Sequence, residues 1–220
     1  MNSIRQRATE MFPSVMLTVL SMVQALALEL LWTRLSESPF LWDGGWNALL
    51  GWAQVLAVLL GLLEIWLFYI SLVIRLSWVP SMWDSVLPFG IGIIEFTLIE
   101  LTRPDTIGLW LCTAAALLTF AILAGHSIAV RARRLDENQE FFSDIARASR
   151  RDFTLPALAG AILIALGIAI ELMGEPGLLA LASIVFTIGL IAQQAQLTRR
   201  FWKQSITEDP EESLGEDEVS

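Results

Sequence analysis

Six apolar runs, at about residues 13 to 33, 48 to 74, 86 to 101, 107 to 130, 155 to 172 and 177 to 198, decide what this chain can fold into. Most come near the ~20 residues that an α-helix needs to cross a bilayer core. In hydrocarbon each backbone N–H and C=O must be satisfied internally, which makes the helix the spanning form for runs of this length. The 220-residue chain is also too apolar for a soluble domain, with 55% hydrophobic residues, 17% charged residues and a mean hydropathy of +0.61. The expected class is therefore all-α, a polytopic membrane protein with a six-helix transmembrane domain over residues 1–204. The third run is the weakest, because Pro80, Asp84 and Pro88 interrupt its start, and it is expected to enter as a broken or short helix.

Lys and Arg set orientation. Arg5, Arg7, Arg75, the six arginines between 131 and 151, Arg199, Arg200 and Lys203 put 12 of the 14 basic residues on one side, leaving Arg34 and Arg103 for the other. By the positive-inside rule both termini are cytoplasmic, and the expected location is a cytoplasmic (inner) membrane. Trp32, Trp42, Trp46 and Trp110 mark the outer ends of the runs, while Trp78, Trp83 and Trp202 mark the inner ends, as interfacial belts do. The first run is long, lacks a small-residue cleavage site and is followed by five more, so it reads as a retained span. The net charge of −9 is concentrated in the end "TEDPEESLGEDEVS", which carries seven acids and no base; residues 205–220 read as a disordered acidic tail. Cys112 is the single cysteine, so there is no disulfide framework.

Short outer turns join runs one to two, three to four and five to six. The expected arrangement is three antiparallel hairpin repeats, at about 13–75, 80–134 and 153–204. "ALALELLWTR", "FTLIELTRP" and "GIAIELMGEP" carry Glu29, Glu100 and Glu171, each 71 residues from the next, and the first members are read as beginning after Pro13, Pro88 and Pro156. The first turn carries an insert, "SESPFLWDGGWN". The loop "RARRLDENQEFFSDIARASRRDF" is long enough for a helical segment, with Phe141 and Ile145 four apart, and its arginines suit either topology enforcement or anionic headgroups.

The acids carry what functional signal there is. Helical steps back from Glu171 meet Gly167 and Gly160, with Ala157, Ala161, Ala165 and Ala169 beside them; from Glu29 they meet Ala25, Met22 and Thr18. Small residues mark helix contact faces in membranes, so these two glutamates are expected to face protein. The stripe for Glu100 is Phe96, Ile93 and Phe89, a weaker pattern. Glu95 and Glu64 lie deeper, Glu64 being eleven residues from Arg75 or ~16 Å along a helix. Neither has an evident basic partner. Such a group stays neutral, accepts hydrogen bonds or binds a cation. With His126 near the inner end of the fourth run, the series Glu29, Glu100 and Glu171, then Glu95, Glu64 and His126, sets out candidates for a proton or cation path. The structural alternative has the outer three at the headgroup boundary and the deeper two as neutral glue between helices.

No histidine pair, Gly-rich phosphate loop, G-x-S-x-G or HExxH occurs, so no cofactor, metal site or catalytic residue is implied and an enzyme ranks below transport. "MGEPGLLALASIVFTIGLIAQQAQLTRR" and, more loosely, "TRPDTIGLWLCTAAALLTFAILAGHSIAVRARR" resemble the HdeD family of small six-span membrane proteins linked to acid resistance; "GLLEI" at 61 to 65 is similar to a G-x-x-E-I pattern of its second helices. The longer first turn and the in-register "EL" endings depart from that pattern. The resemblance implies a stress-associated membrane protein and supplies no catalytic residues. Two functions follow as expectations: a small channel or transporter for protons or other cations, or a non-conducting accessory protein whose acids tie helices together. The implied partners are the lipid bilayer, protons or cations, and a second copy or another membrane protein; nothing points to nucleic acid.

Overall fold

A computed structural model describes residues 3–143, 149–174 and 177–207. Its helices are α1 (Ser3–Ser36), α2 (Gly45–Arg75), α3 (Met82–Glu100), α4 (Ile107–Ala132), α5 (Gln139–Ser143), α6 (Thr154–Met173) and α7 (Leu178–Thr207). Short 3-10 turns stand at Pro39–Leu41, Pro104–Thr106, Asp136–Asn138 and Arg150–Phe153, and there is no strand among the described residues. All the long helices, α1 to α4, α6 and α7, contain an apolar stretch long enough to cross a membrane, which makes this an integral, multi-pass membrane protein. Ile145 and the acidic end beyond Thr207 lie outside the described residues.

The prolines do not start the helices. α1 runs unbroken through Pro13, and its 34 residues reach ~50 Å, well beyond a ~30 Å hydrocarbon core. α3 is likewise continuous rather than broken. Asp84 caps it: the Ser81 backbone N–H donates to Asp84 Oδ2 at 2.8 Å, the reciprocal half of a capping box. Pro88 lies inside the helix and removes one bond, to the carbonyl of Asp84, without ending it.

Consecutive spans do touch, as hairpins would. The most extensive packing, however, is α4 with α6, α2 with α7, and α1 with α3, pairs that each come from different hairpins. The six long helices follow one another around a ring in the order α1, α3, α4, α6, α7, α2 and back to α1, with α2–α3 and α4–α7 contacts across it. Close backbone approach explains α4–α6. A Cβ on Gly108 would stand 2.7 Å from the Gly167 carbonyl oxygen, and one on Gly167 would stand 2.6 Å from the Gly108 carbonyl oxygen. Two glycines let the backbones meet, as small residues do between membrane helices.

Faces differ from the expected stripes. On α6 the buried positions are Gly160, Leu163, Gly167 and Ile170, whereas Ala157, Ala161 and Ala165 are exposed. On α1 the buried line runs through Met16, Leu20, Val23, Ala27 and Leu31, which turns Thr18, Met22, Ala25 and Glu29 outward. On α6 the line that wins is the one whose Gly160 and Gly167 allow close approach to α4, while Ile162, Ile164 and Ile168 face outward.

The first-turn insert folds back onto α2. Phe40 and Leu41 fill the space above Gly51, Trp52 Nε1 donates to the Leu41 carbonyl at 3.0 Å, and Trp42 meets Trp52 edge to face at 5.5 Å. Gly44 and Gly45 provide the left-handed backbone, at φ 75° and 80°, that lets the chain re-enter as α2.

The opposite end is fastened by polar groups. Arg131 of α4 donates to Asp84 Oδ1 at 2.6 Å and to Ser81 Oγ at 2.7 Å. Asn138 grips the α2–α3 linker at both backbone polar atoms of Ser77, accepting from its N–H at 3.1 Å and donating to its carbonyl at 2.6 Å, and also donates to the Ala132 carbonyl at the end of α4. The helical segment expected in the fourth loop is the short α5, whose Phe141 lies under the Arg75 guanidinium at 4.8 Å and against Phe201 at 5.5 Å.

Candidate functional site

Glu95 and Glu64, the two deep acids, are both buried, at 2% and 7% exposure. Each meets a side chain from a parallel neighbouring helix. Gln24 of α1 donates from Nε2 to Glu95 Oε1 at 2.7 Å, and Thr198 of α7 donates from Oγ1 to Glu64 Oε1 at 2.5 Å. Close packing makes the first contact reachable, since Gly92, one turn before Glu95, presents no side chain to Val23, one residue before Gln24. Thr198 immediately precedes Arg199 and Arg200, so the Glu64 pair sits toward the basic end of α7 rather than midway along it.

Both acids line one half-open cavity of about 130 Å³ between α2, α3, α4, α6 and α7. Its wall is dominated by apolar side chains, among them Val58, Leu62, Leu98, Leu117, Leu163 and Ile191. Thr187, Gln194 and Trp110 add polar atoms. The Thr187 hydroxyl is already engaged, donating to the Ser183 carbonyl at 2.9 Å. Among the described side chains that line this cavity, two have a fully buried polar atom with no hydrogen-bond partner, Glu95 at Oε2 and Trp110 at Nε1, and Gln24 Oε1 beside Glu95 has none either.

The other acids do not join this cavity. Glu29, Glu100 and Glu171 are exposed, and none of them lines it. Arg34 bonds the Glu100 backbone carbonyl at 3.2 Å, and Arg103 pairs with Asp105 at 3.3 Å. Glu171 lies against Gly108 beside a second pocket of about 150 Å³, which it shares with Asp105 and Gly174 at the turns following α3 and α6. His126 is half-buried and meets the Phe153 ring edge to face at 4.9 Å. Among the described residues no three His, Cys, Asp or Glu side chains converge as metal ligands would.

From sequence Trp110 reads as a belt tryptophan, and neither Gln24 nor Thr198 stands out from the apolar runs that hold them. A signal for Gln24 was present, because it stands 71 residues before Glu95, the interval that relates the three "EL" glutamates. Asp84 reads from sequence as an interruption; in the fold it is a cap and the partner of Arg131.

Comparison with protein-family models, with curated proteins and with solved structures gives no match.

Proposed function

We propose that this chain is a non-conducting accessory protein of the cytoplasmic membrane, with both termini in the cytoplasm, in which Glu64 and Glu95 fasten helices rather than pass ions. One observation carries the reading: each buried acid is already bonded to the neighbouring helix, and the cavity between them has a mainly apolar wall. A cation crossing that wall would exchange its hydration for hydrocarbon, which is strongly unfavourable without a continuous line of ligands. The HdeD-like segments of the second and third hairpins add a stress-associated role to the same proposal. The distribution of Lys and Arg supports the orientation.

The second reading is the conduit for protons or other cations, favoured by the sharing of one cavity by Glu64 and Glu95. Liposome reconstitution separates the two. Under the accessory reading, proton and potassium fluxes equal those of empty liposomes across pH 5 to 8, for wild type and for Glu64→Gln and Glu95→Gln alike. Flux above that background that is lost in either variant overturns it in favour of the conduit.

A further inference from the structure

The half-open cavity is a slot with one closed end. Three parallel helices line it lengthwise, α2 from Ala57 to Ile65, α4 from Trp110 to Ala121 and α7 from Thr187 to Gln194, which by helical rise gives a length of ~10 to 16 Å. Its closed end lies toward the starts of these helices, where Val58, Leu98, Trp110 and Thr187 are each no more than 6% exposed. Further along, Ile65, Leu118, Ala121 and Ile191 are only half-buried. The slot therefore opens as it approaches the basic ends of the helices.

That opening does not lead to water. Ile65 and Ala121 each stand ten residues before an arginine, Arg75 and Arg131, so ~15 Å of helix separates them from the basic ends. Past the slot the axis is filled: Phe68 of α2 reaches α4, where a Cβ on Gly125 would stand 3.1 Å from its ring, and Ile128 and Ala132 of α4 enter a second apolar core shared with α1, α2 and α3. α4 and α7, by contrast, touch only slightly, and α6 adds a single residue, Leu163, to the wall. The mouth is lateral, between α4 and α7, at hydrocarbon depth.

Three occupants compete for such a space. Water is disfavoured, because the surface facing the slot is apolar and Glu64 and Glu95 each turn an oxygen to another helix. A helix from a partner, ~10 Å across, would not enter a volume of about 130 Å³. Left empty, the wall forfeits its dispersion contacts on one side. A single hydrocarbon chain is narrow enough to enter, and half of a ~30 Å hydrocarbon core is as long as the slot.

We infer that the slot binds one acyl chain of a bilayer phospholipid, which enters between α4 and α7 and places its terminal methyl at the closed end beside Val58, Leu98 and Trp110. The assignment is independent of whether the protein conducts.

The test is photo-crosslinking of the full chain in lipid nanodiscs doped with a phosphatidylcholine that carries a diazirine at the end of one acyl chain, with adducts located by mass spectrometry. Adducts are expected on Val58, Leu98 or Trp110 as well as on the lipid-facing Leu56 and Ile93, which are 48% and 68% exposed. Gly61→Leu fills the slot from α2, where an added Cβ would meet only Ile191 at 4.0 Å, and is expected to lose the closed-end adducts while keeping those at Leu56 and Ile93. Ala114→Leu, which narrows the slot from α4, is expected to give the same loss and decides the matter should Gly61→Leu fail to fold. Wild-type adducts at Leu56 and Ile93 with none at the closed end would overturn the assignment. So would closed-end adducts undiminished in the filled variants, or equal closed-end labelling by a phosphatidylcholine with the diazirine in its headgroup.

Discussion

Gln24 and Glu95 stand 71 residues apart in the chain and 2.7 Å apart in the fold. The same interval separates Glu29 from Glu100 and Glu100 from Glu171, so the internal register that repeats an "EL" ending also brings equivalent turns of α1 and α3 side by side. Only the buried pair touches. Gln24→Leu is expected to destabilise the protein by ~1 to 2 kcal/mol, because it strips a buried carboxyl of its partner in a membrane bundle. The double variant Gln24→Leu with Glu95→Leu is expected to lose less than the sum of the two single changes. Equilibrium unfolding in mixed micelles measures this cycle, and strict additivity would refute the coupling.

The α4–α6 crossing makes a contrast between glycines. Gly108→Ala or Gly167→Ala forces a methyl to within 2.8 Å of a backbone oxygen and should destabilise by ~1 to 3 kcal/mol through overpacking. Gly189→Ala in α7 has nothing within 4 Å of the new carbon and should be neutral or stabilising by up to ~1 kcal/mol. Thermal unfolding in one detergent ranks the three; equal losses at all of them would count against a backbone crossing at Gly108 and Gly167.

Arg131 and Asp84 form an ion pair that is 5% exposed at the acid and 21% exposed at the base. Arg131→Leu leaves a buried carboxylate facing its own capping box and should cost about 3 kcal/mol, the lower end for a broken buried pair because one partner still meets solvent. Adding Asp84→Leu should recover part of the loss in the pair but forfeits the α3 cap, so full recovery is not expected. Denaturation of the two single variants and the double variant checks the order. A silent Arg131→Leu would contradict the pairing.

Orientation is testable with single cysteines in a Cys112→Ala background. Asp43→Cys in the first turn and Ser143→Cys at the end of α5 occupy exposed positions separated by α2, α3 and α4. In intact cells an impermeant maleimide is expected to label position 43 and spare position 143, which becomes reactive on lysis. Labelling of position 143 alone in intact cells would invert the topology.

How much of this was legible follows from which forces act locally. Runs of ~20 apolar residues determine their own helicity in lipid, so the six spans and their turns could be read directly. Glu64 and Glu95 were legible because a carboxyl inside an apolar run is rare and expensive. What could not be read was partnership between helices. The hairpin expectation rests on chain proximity, whereas the tightest crossings follow shape, as at Gly108 against Gly167. The alanine line of α6 looked like a contact face, yet the glycine and leucine line beside it is the buried one. Asp84 was ambiguous for a related reason: an acid near prolines suggests a break until an arginine 47 residues away supplies its partner.

Glu64 and Thr198 lie 134 residues apart, and α2 meets α7 more extensively than it meets its own hairpin partner α1. The ring is therefore closed by α7, which follows the other five long helices in chain order. Until α7 arrives, Glu64 has no hydroxyl to hold, and the space that becomes the cavity is an open groove on the side of five inserted helices. The five helices that precede α7 thus leave Glu64 without its hydroxyl partner, and the packing of α7 against α2 is what supplies that partner and buries the acid.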